Sequence, residues 1–129
     1  MVIFYQYPVT TDSAGGFTGT TIPFPSSRVQ SIRVNNAGST LTAGGTGDFT
    51  FTRTADGGTV LAVSNQAAPW QFQPREALHS TSGGTTAYAL GIGPVVDTLG
   101  VPVDGSITVD IAQAAVSASG TIFFYLEGR

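Results

Sequence analysis

Residues 48–54 read DFTFTRT, and residues 59–64 read TVLAVS. In the first run Phe49 and Phe51 alternate strictly with Thr50, Thr52 and Thr54. A period of two puts both rings on one face of an extended strand and all three hydroxyls on the other. A helix, with 3.6 residues per turn, cannot segregate them this way. Between the runs lies Ala55-Asp56-Gly57-Gly58. Asp-Gly between alternating runs is the strongest short-range hairpin signal, because both residues tolerate positive φ. The pattern predicts an antiparallel hairpin pairing 48–54 with 59–64.

The rest of the chain follows the same rhythm. Residues 2–7 set Val2, Phe4 and Gln6 against Ile3, Tyr5 and Tyr7, and Pro8 is expected to stop that strand. Residues 17–24 are broken by Gly19 and Pro23, as in an edge or bulged strand. Residues 28–35 set Val29, Ser31, Arg33 and Asn35 against Arg28, Gln30, Ile32 and Val34, and neither set is wholly apolar. Strands are also expected over 85–90 and 106–111, the second preceded by a turn at Asp104-Gly105. Residues 120–127, GTIFFYLE, are apolar on both faces, which implies a central strand or one covered by a partner. Helix signals are scarce. One helical turn is expected at Pro74-Arg75-Glu76-Ala77-Leu78, with Pro at its first position. Residues 110–117 read as strand running into loop.

Strands every ~8–12 residues with turn residues between them predict an all-β chain. We read residues 1–129 as a single-domain antiparallel β-sandwich, jelly-roll-like, with at most a short helical turn. Spacing alone does not separate jelly-roll from immunoglobulin-like strand order. At 129 residues the chain can bury a core without disulfides or metals.

The chain has no cysteine, which removes disulfides, thiolate nucleophiles and Cys-ligated zinc, and its single histidine removes multi-histidine metal sites. Its cations are the arginines at 28, 33, 53, 75 and 129, scattered rather than clustered. Nucleic-acid binding is not expected, because counterion release needs a basic patch. No apolar run approaches the ~20 residues of a membrane span. The N-terminal MVIFYQYPV lacks the basic region and cleavage site of a signal peptide. Only 10% of residues are charged, against about 25% in ordinary soluble domains. Such a surface suits a protein that packs against neighbours, and it equally suits a Thr-rich β-protein.

The densest polar chemistry lies in 71–91, QFQPREALHSTSGGTTAYALG. As a general base, His79 would need an orienting carboxylate and a nucleophile in reach. Glu76 would meet His79 only if 76–79 were helical, and Ser80 and Ser82 sit in no nucleophile elbow. The stretch reads instead as a structural loop, in which Arg75, Glu76 and His79 tie the chain to the sheet or to a neighbour. Asp56-Gly-Gly and Asp104-Gly-Ser lack the alternating oxygens of a calcium loop. Gly44-Gly45-Thr46-Gly47 precedes a strand, not a helix N-terminus able to hold phosphate. We expect no catalytic residue, cofactor or metal. Trp70 and Phe72 share a face if extended, and we assign them to the core or a subunit contact ahead of a sugar platform.

Pro74-Arg75, His79-Ser-Thr-Ser-Gly83, Tyr88, Pro102-Val-Asp104-Gly-Ser-Ile-Thr-Val-Asp-Ile-Ala and Ala118-Ser-Gly-Thr-Ile-Phe-Phe-Tyr-Leu-Glu127 follow in an order and spacing that suggest a family. The pattern, which covers the C-terminal half, resembles small virion proteins of tailed bacteriophages of the head-decoration, or cement, type. The resemblance implies a small β-sandwich or jelly roll on the capsid exterior of an icosahedral head. It would bind the major capsid protein, bridge shell subunits against DNA pressure, and work as a homo-oligomer, a trimer by preference, without catalytic residues. Candidate interface or loop-anchoring residues are Trp70, Phe72, Arg75, Glu76, His79, Phe123 and Tyr125. The alternative is a tail-tip or fibre module that binds a host glycan through Trp70, Phe72 and the tyrosines. The segments 2–7 and 122–126 are expected to pair with each other or, by β-augmentation, across subunits.

Overall fold

A computed structural model describes residues 2–34, 41–42, 45–67, 69–77, 87–90, 93–96 and 98–128. Every regular element among them is a β-strand: β1 (Val2–Thr10), β2 (Phe17–Thr20), β3 (Phe24–Val34), β4 (Gly47–Arg53), β5 (Thr59–Gln66), β6 (Trp70–Phe72), β7 (Arg75–Ala77), β8 (Ala87–Leu90), β9 (Gly93–Val96), β10 (Thr98–Gly105), β11 (Ile107–Ala112) and β12 (Ser119–Gly128). The larger sheet has six strands in the order β1-β12-β3-β10-β7, with β6 also on β3. The smaller has four, β2-β11-β4-β5, and β8 pairs with β9 alone. All pairings are antiparallel. The two larger sheets pack face to face as a β-sandwich around one cluster of buried apolar residues.

Alternation explains the core. Phe49 and Phe51 of β4 and Ile107, Val109 and Ile111 of β11 point inward from the smaller sheet. They meet Ile122, Phe124 and Leu126 of β12 and Val29, Ile32 and Val34 of β3. The Phe51 and Phe124 rings meet edge to face across the sandwich at 5.9 Å. Of the two readings its two-faced apolar pattern allows, β12 is a central strand, held by β1 on one side and β3 on the other.

The long β3 is the spine of its sheet. One edge carries β12, while the other is shared in series by β10, opposite Phe24 to Val29, and β6, opposite Ile32 to Val34. Its imperfect alternation has a cause. Tyr125 faces Ser31 but Leu126 faces Val29, so Gln30 is an extra residue and the inward phase shifts there.

Three local expectations change. The stretch after Pro74 is a short strand, Arg75–Ala77, paired with β10, and not a helical turn. Sheet hydrogen bonds to residues 98–100 outcompete a turn with no cap and no apolar periodicity to hold it. Pro8 does not stop β1, which runs on to Thr10 opposite Ser119. On an edge strand the missing N–H can face away from the ladder. The 48–64 hairpin forms, but around a wider loop in which only Gly57 is left-handed, at φ 72°. There Gly57 N–H donates to Arg53 C=O at 2.8 Å and Arg53 N–H to Gly58 C=O at 2.7 Å.

At one end two sheet crossings interlock. The chain leaves β1 for β2 through residues 11–16 and returns from β11 to β12 through 113–118. The Thr11 hydroxyl donates to Ala115 C=O at 2.6 Å and accepts from Ala118 N–H at 2.8 Å. Asp12 accepts the Ala14 and Gly16 N–H groups on Oδ1, at 2.8 and 2.9 Å. Those amide donors hold its carboxyl below the ordinary 3.8, as the Gly58 amide and Arg53 do for Asp56. A carboxyl with a lowered folded pKa binds fewer protons folded than unfolded, so it stabilises above its unfolded pKa. That contribution is lost as pH falls through the folded pKa. Thermal melts from pH 5 to about 2.5 should therefore show a steeper drop in Tm for wild type than for the Asp12→Asn/Asp56→Asn variant. Equal slopes would show that neither turn is held by its carboxylate.

Candidate interaction surface

Among the residues of β12 that point away from the core are Phe123 and Tyr125. Register places them between Gln6 and Phe4 of β1 and between Arg33 and Ser31 of β3. Phe4 stacks on Phe123 at 5.5 Å with a 14° interplanar angle, and its ring lies 4.9 Å from that of Tyr125. From the other side the Arg33 guanidinium lies over both rings, 4.7 Å from the Phe123 centroid and 5.6 Å from that of Tyr125. Phe123 is thereby only 8% exposed although it faces outward, while Phe4 keeps 47% and Val2 73%. The outer face of the larger sheet thus carries an aromatic patch with a cation on it. The outer face of the smaller sheet is polar, with Thr18, Thr50, Thr52, Thr108 and Asp110 in register.

Arg33 differs from the other described arginines. Arg28 donates to Gly100 C=O at 3.0 Å, Arg53 binds Asp56 at 3.1 Å, and Arg75 donates to Gln73 Oε1 at 3.4 Å. The Nε of Arg33 is buried with no hydrogen-bond partner, and so is the indole Nε1 of Trp70. Both residues line one cleft of about 260 Å³ with Pro69 and Gln71. An unmet buried donor costs about 1–3 kcal/mol. Beside the cleft runs a shallow groove of about 350 Å³ between Val2, Gln30, Ser31, Gln71, Gln73 and Tyr125. It offers amides around a phenol ring. Two of those amides are already oriented: Gln30 donates to Glu127, and Gln73 accepts from Arg75. A third hollow of about 350 Å³ lies at the 48–64 hairpin, where Arg53 and Asp56 are already engaged with each other.

Among the residues picked from the sequence, Phe123 and Tyr125 lie together in the patch, and Arg75 is exposed on the same sheet. Trp70 is 7% exposed and packs against Phe49 and Phe51 at 5.2 and 6.1 Å. Phe72 is half-buried beside it, 5.5 Å away. Both belong to the core side of β6, so neither can serve as a sugar platform. Glu76 pairs through its backbone with Leu99, and its side chain lies outside the described residues. His79 also lies outside them, as do the other residues of 78–86. Sequence reading missed Phe4 and Arg33. The one usable signal was the two-faced apolar pattern of 120–127, which called for a cover on Phe123 without naming it. Among the described residues no three His, Cys, Asp or Glu side chains group to hold a metal, and no helix is long and apolar enough to cross a membrane. Comparison with family models, curated proteins and solved structures finds no match.

Proposed function

We infer that this chain is a structural virion protein. It acts as a cement protein on the outer surface of an icosahedral phage head, works as a homo-oligomer, and docks on the major capsid protein by binding, not by turnover. The observation that carries this reading is the aromatic patch of Phe4, Phe123 and Tyr125 with the partnerless Arg33 Nε at its rim. The C-terminal motif pattern supports the virion assignment. Aromatic and Arg side chains at the centre of a face are the usual anchors of protein interfaces. Binding to the assembled shell and not to free subunits stabilises the shell by mass action at every site.

The first test is copy number in purified particles, by quantitative mass spectrometry. Copies comparable to the major shell subunit are expected, and complete absence from particles would end the virion reading. The second is sedimentation of the purified protein with mature heads that lack it. Arg33→Ala should weaken that binding by roughly 30-fold, as expected for an anchor worth about 2 kcal/mol, with the thermal melt little changed. Undiminished binding would remove this face from the interface.

One observation favours a second reading, a tail-tip or fibre module for a host glycan. The groove at Tyr125, with Gln30, Gln71 and Gln73 around it, presents uncharged amides beside an aromatic ring. A handful of copies per particle and saturable binding to cell-wall sugars would favour it.

A further inference from the structure

β1 is an outer strand of the larger sheet, and among the described residues β12 is its only partner. Which of its backbone groups face outward follows from the register. Thr10 lies opposite Ser119, and one step on Thr11 N–H donates to Ala118 C=O at 2.8 Å. Bonded and unbonded pairs alternate in an antiparallel ladder. The odd residues Ile3, Tyr5, Tyr7 and Val9 therefore bond to β12, while Val2, Phe4 and Gln6 direct N–H and C=O to the open edge. Pro8 falls in the outward set, where its missing N–H costs the ladder nothing.

Exposed edges are normally blunted by lysine, proline, an inward charge or a bulge. β1 carries no charged residue, and its register with β12 is unbroken over nine residues. Only Pro8 interrupts the outward row.

We propose that β1 pairs with β1 of a second copy, antiparallel about a two-fold axis at Phe4, joining the two larger sheets into one. Phe4 then faces Phe4, and Val2 faces Gln6 in both directions. This is the longest register that keeps Pro8 out of the paired segment. A centre at Tyr5 or Gln6 would set Pro8 opposite Val2 or Phe4 and lose N–H bonds. The charge pattern selects the same occupant. A strand with Lys, Asp or Glu would find no counter-charge on β1, whereas a second uncharged β1 sets no like charges against each other. The side chains agree as well: Val2 and Phe4, the exposed apolar residues of β1, are covered, and the ring patches of the two copies merge into one strip. The contact is isologous and closes at two copies. It does not depend on the virion reading, since it rests on the edge alone.

The test is sedimentation equilibrium over a wide concentration range, with variants. Wild type should show a reversible monomer–dimer equilibrium. Gln6→Pro removes an outward N–H but none of the bonds to β12, so self-association should be roughly tenfold to hundredfold weaker with little change in the thermal melt. If Gln6→Pro fails to fold, Phe4→Lys decides, because it sets two ammonium groups against each other in the dimer only. The cysteine-free chain also reports register. Facing Cα atoms of a bonded antiparallel pair lie about 5.5 Å apart, within disulfide reach, so Phe4→Cys should oxidise to a covalent dimer while Thr18→Cys, on the other sheet, should not. Wild type that stays monomeric or forms trimers overturns the proposal. So does a dimer unaffected by these variants, or equal cross-linking at both positions.

Discussion

Phe124→Ala is expected to lower the unfolding free energy by about 3–5 kcal/mol. Phe124 is fully buried on the central strand, between Tyr5 of β1 and Ile32 of β3. Its ring touches Phe24 and Phe51 at 5.9 Å each and Tyr5 at 6.3 Å. These neighbours belong to three other strands in both sheets, each fixed by its own ladder. They cannot close over the space a truncated side chain leaves, so the cavity term adds to the lost transfer energy. Against a total of about 5–15 kcal/mol for a domain, this is a large fraction. Urea unfolding should show a lower midpoint at unchanged slope. Phe4→Ala, at a ring that is 47% exposed, should cost far less. Comparable losses at the two sites would contradict the packing described.

Gly15→Ala is expected to cost about 3 kcal/mol or more, as changes that force strained backbone do. Gly15 has φ 79°, where an L-residue loses about 1–2 kcal/mol. A Cβ there would also lie 2.1 Å from Ala114 C=O, a backbone atom that cannot rotate away. Moving it disturbs the Ala114 N–H bond to Gly15 C=O at 3.0 Å and loosens both sheet crossings. Gly57→Ala separates the two causes. Gly57 has φ 72° but open space around its Cβ position, so only the conformational cost of about 1–2 kcal/mol applies. Equal destabilisation of the two variants would mean that the crossings are not interlocked through Ala114.

Much of the strand content was legible, and the reason is local. Alternation in 48–54 puts Phe49 and Phe51 on one face, and in 2–7 it puts Tyr5 with Ile3 and Tyr7, as the strands have them, while 106–111 reads as the strand it is. Where reading failed, a distant partner had intervened. The bulge at Gln30 answers to Tyr125 and Leu126, and the strand at 75–77 exists because residues 98–100 lie beside it. Trp70 reads as core or subunit contact, and only its place on β6 beside β3, over Phe49, decided for the core. The consecutive strands β10 and β11 lie in different sheets, divided at Gly105 with φ 113°, where the sequence suggested only a turn.

The same division holds for the candidate surface. The sequence by itself determined that β12 is apolar on both faces and that Val2 and Phe4 share a side of β1, because side-chain direction along a strand is a local property with period two. Only the tertiary structure decided that Phe4 and Arg33 would cover Phe123, that Trp70 would be spent on the core, and that β1 would be left at an edge. Those outcomes depend on which strand lies beside which, through contacts such as Thr11 to Ala118, 107 positions apart, and local periodicity carries no record of them.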